Sequence, residues 1–194
     1  MGLVVAEISS STFIQRGSSD EHRGQVTVEA IASLEESLGK ITDLENCVRI
    51  AVIHHHPVLL PVFAETGRQY DAVLNSGYLL RLLREHGFHA ILHGHKHHPH
   101  VFSDDSLCSW DEGNHAPLLV IAGGSAGVTH SELPPSPKSA NTYNVITIKN
   151  TRPQIRIAVE THSLECFDRH GQLRLPSQWR WAHIGNSPSP RHAN

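Results

Sequence analysis

Apolar residues fall in short blocks along the chain, separated by polar joints, and the period inside each block differs. Leu3–Ile8 (LVVAEI) is a near-continuous apolar run of strand length and predicts a buried strand. From Val26 to Leu38 the spacing of Ile31, Leu34 and Leu38 is helical, with Gly39 placed as the residue that ends the helix. Val48–Ile53 (VRIAVI) is rich in β-branched residues and predicts a second buried strand. A second helix is predicted over Ser76–His86, capped by Asn75 or Ser76, lined by Leu79, Leu80, Leu82 and Leu83, and stopped by Gly87. Phe88–Leu92 (FHAIL), Pro117–Ala122, Asn141–Lys149 and Gln154–Glu160 read as further strands. The joints 9–24, 58–74 and 123–140 are loops, the middle one long enough to suggest a functional role. After Cys166 the chain is polar, with Trp179 and Trp181 as its large anchors, and Asn186–Asn194 reads as a tail. The expected organisation is one α/β domain over 1–165 and a polar extension over 166–194.

The order strand, helix, strand over 48–92 predicts a βαβ unit, whose two strands are parallel and close together. His54-His55-His56-Pro57 follows the first of these strands, and His93-Gly94-His95-Lys96-His97-His98 follows the second. Ligands of open α/β sheets bind at that carboxyl edge, so the two histidine groups are predicted to meet. Pro57 favours an extended His56, and alternate side chains of an extended chain share a side, so only part of the 54–56 triplet is expected to face one site. Gly94 is expected to supply the sharp turn, with His95 and His97 pointing the same way. Imidazole suits manganese, iron and zinc, and neither group contains cysteine, which argues against a structural thiolate zinc site.

Composition narrows the picture. With 39% apolar and 18% charged residues among 194, the chain is a globular protein with a real core. A net charge of −3 and no Lys/Arg run leave no electrostatic footprint for nucleic acid or an anionic membrane. The N-terminus lacks a basic segment and cleavage site, no run is long enough to span a bilayer, and three scattered cysteines form no disulfide framework, so a cytoplasmic setting is expected. Of the seventeen histidines, His22, His86, His162, His170, His183 and His192 read as ordinary surface residues, and His89 as a satisfied core or interface residue. Gly123-Gly124-Ser125 lacks the Lys and following helix of a phosphate cradle and reads as structural.

The HHHP group, followed about forty residues later by Gly94-His95-Lys96-His97 after a strand, resembles the last two motifs of calcineurin-like metallophosphoesterases. The likeness in element order runs over roughly residues 3–162. It implies the C-terminal half of an αββα sandwich with mixed sheets, and a hydrolase that cleaves phosphomono- or phosphodiesters through a metal-bound hydroxide. By the family's pattern His55 and His95 bind one divalent ion (Mn, Fe or Zn) and His97 the other, with His54 replacing His55 if the register is shifted by one. His54, His56 and His98 are the residues expected on the substrate side, with His100 continuing the same run. The family's earlier motifs are missing: there is no Gly-Asp dipeptide, Asp20-Glu21-His22 lies in a polar loop, and Gly113-Asn114-His115 comes too late and precedes Ala116. No catalytic histidine can therefore be assigned. The resemblance implies at most one ion here, weak or no activity, and an N-terminal half or complementing chain as partner beside the phosphate-ester substrate. The rival expectation is a non-catalytic metal-binding or interaction module on the same scaffold.

Overall fold

The computed structural model describes residues 2–12, 17, 23–59, 72–104, 117–133, 140–151, 154–165 and 180–187. The protein is α/β. Strands β1 (Gly2–Ile8), β2 (Cys47–Ile53), β3 (Ala90–His93), β4 (His100–Asp104) and β5 (Leu118–Ala122) form a sheet in the order β1-β2-β3-β5-β4. Both β1–β2 and β2–β3 are parallel, with Ile8 beside Ile53 and Val52 beside Leu92. Strands β6 (Thr142–Thr151), β7 (Gln154–Glu165) and β8 (Arg180–Ser187) form a separate antiparallel sheet.

Two helices flank the first sheet. In α1 (Val28–Gly39), Thr27 caps the N-terminus, its Oγ1 accepting from Ala30 N–H at 3.1 Å, which is why the helix starts two residues later than its apolar pattern. Ile31 and Leu38 are buried and Leu34 packs against the core, as the spacing predicts. Gly39 is the last helical residue rather than the turn beyond it; Lys40 closes the helix in a right-handed conformation. In α2 (Ser76–Glu85), Leu79, Leu80, Leu82 and Leu83 are all buried, each worth roughly 1.5–3 kcal/mol of burial. Asn75 does not cap by its side chain: its Nδ2 donates to Val26 O at 2.9 Å and ties α2 to the start of α1. The core of this unit is made by Ala6, Ile8, Ala51, Ile53 and Ile91 on one sheet face with the apolar stripes of α1 and α2.

Two expectations need correction. β1 is an edge strand, with Leu3 60% and Val5 55% exposed, so it is buried on one face only. β4 and β8 are strands that the apolar pattern does not predict. The described residues fall into two compact units, one within 2–95 and 102–121 and the other within 96–101 and 122–187. The extension contributes β8, seven of whose residues pair with β7. Among the described residues no helix is long and apolar enough to cross a membrane.

Candidate metal centre

The parallel pairing of β2 and β3 puts His54 and His55 directly after one strand and Gly94 and His95 directly after the next, with Gly94 N–H donating to His54 O at 3.0 Å. His54, His55 and His95 thereby converge: one nitrogen from each lies within 4.8 Å of the others. Ring centroids are 4.7 Å apart for His54–His55, 5.2 Å for His54–His95 and 4.5 Å for His55–His95. His55 is buried, His95 half-buried and His54 exposed.

The triplet does not behave as an extended segment. The chain bends at His54 and His55, and these adjacent residues both lie with His95 in one cluster. The turn after β3 is also not made by Gly94, which is absent from the positive-φ glycines. His95 and His97 take φ of 74° and 54° instead. A non-glycine residue held there costs about 1–3 kcal/mol, and such conformations cluster at functional sites.

The surroundings orient His55. Its backbone N–H donates to Ser10 Oγ at 3.3 Å, and its ring Nδ1 lies 2.9 Å from the same hydroxyl. Ser10 is itself buried. Gly24, at φ +69°, lies against the ring so closely that a Cβ there would collide with His55 Nδ1. Neither residue is signalled by the sequence: Ser10 sits in a serine run 45 positions away and only the β1–β2 pairing brings it near.

His54 also lines an open cleft of about 510 Å³ with Glu7, Ser9, Ser10, His93 and Gly94, at the carboxyl ends of β1, β2 and β3. Small-molecule sites span roughly 300–1,000 Å³. His56 is buried, its O accepting from Val73 N–H at 3.0 Å, and its ring stacks at 6.1 Å from His95. His89 is the satisfied residue expected, its Nδ1 accepting from Arg49 N–H at 3.2 Å.

His97 belongs to the other compact unit and is not a member of the three-histidine cluster. Its Nδ1 is 3.0 Å from Glu132 O. A carbonyl only accepts, so Nδ1 carries the hydrogen and Nε2 the lone pair, the arrangement typical of an oriented ligand. The Glu132 carboxylate is held below its usual range by the Thr129 hydroxyl, then by the Thr129 backbone N–H. His98 and His100 lie in the same unit and are held below the ordinary histidine value by burial, His98 also by His100. The Asp20-Glu21-His22 and Gly113-Asn114-His115 segments, and 60–71 of the long loop, lie outside the described residues.

The donor set fits a transition ion. Bonds of 2.0–2.1 Å in a tetrahedral site put ligand nitrogens about 3.4 Å apart. His95 Nδ1 and His54 Nε2 already stand 3.3 Å apart, a distance that also suits a single N–H···N bond when no ion is present. One nitrogen from each of the three rings lies within 4.8 Å of the others.

No protein-family model matches the chain, and no curated protein does. Among solved structures it is similar to GAP50, "the anchor in the inner membrane complex of Plasmodium", at 18% identity and a TM-score of 0.45, covering 94% of this chain and 50% of that one. It is also similar to Vacuolar Protein Sorting 29 from Cryptosporidium parvum, at 11% identity and a TM-score of 0.30, covering 97% and 99%. The chain thus spans half the length of the first structure. Likenesses of this degree say nothing about activity.

Proposed function

We propose that this chain carries a metal centre of the calcineurin-like metallophosphoesterase type, acting on phosphomono- or phosphodiesters, with His54, His55 and His95 holding one divalent ion. The observation that carries this reading is the convergence of those three imidazoles at the carboxyl tips of β2 and β3. The HHHP and Gly94-His95-Lys96-His97 motifs at those tips support it, and the αββα reading of the fold belongs to the same proposal. When bound, such an ion supplies Lewis-acid polarisation of a phosphoryl oxygen. Ser10 holds the His55 ring by Nδ1, which presents Nε2 to the ion. The cleft beside His54 has the volume for the ester group.

A second reading, a metal-binding module without turnover, is favoured by one feature. The cluster formed by the described residues contains no carboxylate. Three neutral imidazoles leave a divalent charge uncompensated, and two such ions about 4 Å apart repel by on the order of 15 kcal/mol at an effective dielectric constant near 20. One ion is therefore the expected load at this cluster. Titration with zinc or manganese, combined with p-nitrophenyl phosphate and bis(p-nitrophenyl) phosphate assays, separates the readings. Metal-dependent release of p-nitrophenol that His55→Ala abolishes supports the phosphoesterase. A bound ion lost in His55→Ala, with no release, supports the module, and wild-type and His55→Ala chains that bind metal equally contradict both.

A further inference from the structure

We propose a second transition-metal site on the three-stranded sheet, formed by His162, His183 and Glu160. It is independent of the phosphoesterase reading, because it lies wholly within the other compact unit. His162 on β7 and His183 on β8 are direct register partners, so their side chains share a face. Their ring centroids are 5.5 Å apart at 69°. An ion bonded to an imidazole nitrogen at 2.0–2.1 Å sits about 3.2 Å from the ring centroid, so two rings on one ion stand roughly 4.5–6.4 Å apart for bond angles from 90° to 180°. The observed separation falls inside that window.

Two further features point the same way. Glu160 lies two residues before His162 on the same strand and hence the same face, with Oε2 4.0 Å from His162 Nε2. It supplies the negative charge that the β2/β3 cluster lacks, although the ligand atoms of His162, His183 and Glu160 do not all lie within 4.8 Å of one another, so closing on one ion requires side-chain rotation. The pairing of β7 with β8 shifts register between Thr161 and His162, and irregularities of this kind re-aim side chains. Tyr143, the partner of His162 on β6, stacks on its ring at 4.9 Å and 6°, which fixes the ring plane. Two imidazoles and one carboxylate, with water completing the shell, suit zinc, and copper or nickel by the same chemistry, rather than calcium or magnesium. His162 and His183 read as surface residues in the sequence because no local motif joins them; only the strand pairing does.

A bound ion would tie β8 to β7. The test is zinc titration of the full chain followed by NMR of the histidine rings, with hydrogen exchange of the β8 amides. The His162 and His183 ring signals are expected to respond together, and β8 exchange to slow. His183→Gln, at an exposed position, is expected to remove the response at His162 and lower affinity at this site by about tenfold or more; Glu160→Gln is expected to weaken it about tenfold. A His162 response unchanged in His183→Gln, or silence of both rings at a large excess of zinc over protein, overturns the proposal.

Discussion

His95 occupies left-handed backbone that a residue with a side chain rarely adopts, and it is this angle that follows the parallel strand with a ring turned toward His54 and His55. The residues that hold the partner ring give the sharpest tests. Ser10→Ala removes the hydroxyl at His55 Nδ1 and is expected to lower metal affinity about 10–100-fold, measured by calorimetric titration, with the fold retained. Gly24→Ala combines a positive φ with a Cβ placed against the His55 ring; it is expected to abolish metal binding at the cluster and to lower the urea midpoint. The shifts at His98 and His100 set a pH dependence. Burial keeps both folded-state values below the ordinary 6.5, so the unfolded chain binds more protons in that region. Stability from these two groups is fully present above about pH 6.5 and declines as pH falls below it. Urea melts of the metal-free protein between pH 7.5 and roughly 5.5 should show this as a falling midpoint, and a midpoint that rises toward acid would contradict it.

At the level of elements, the β2–α2–β3 unit was legible because each part carries a strong local signal. A β-branched run, four leucines on a helical stripe and Gly87 at the exit all point to one arrangement, and the tips follow from parallel pairing. Which of His54, His55 and His56 would turn inward was not legible. It depends on the bend at His54–His55, which no local residue pattern dictates. β4 (HVFSD) and β8 (RWAHIGNS) carry weak strand signals, with polar residues and glycine, and become strands through their neighbours. β4 is also tied to α2 by a buried ion pair, Arg84 Nη2 to Asp104 Oδ2 at 2.8 Å, with side chains only 3% and 6% exposed. The same nitrogen donates to Asp104 O at 2.7 Å. Arg84→Met would strand a buried carboxylate and is expected to destabilise the protein by about 3–5 kcal/mol in chemical denaturation. A loss below about 1 kcal/mol would mean that the pair is solvated.

For the whole molecule, the sequence predicts that the two histidine groups meet on one edge of a sheet, and His54, His55 and His95 converge there, but it does not predict how the chain divides. The histidine run after β3 is split by the boundary between compact units: His95 falls on one side, while His97, His98 and His100 fall on the other. The spacing Gly94-His95-Lys96-His97 reads as one motif in sequence, and it is shared between two bodies in space. The carboxylates that a two-ion centre requires are likewise not found in the three-histidine cluster of the described residues, which is why one ion is the expected load there. The most direct check is a crystal structure of the chain grown with excess zinc, with anomalous difference maps collected at the zinc edge. A peak about 2.0–2.1 Å from one nitrogen each of His54, His55 and His95 is the expected result; maps in which no anomalous density touches those three rings would contradict it.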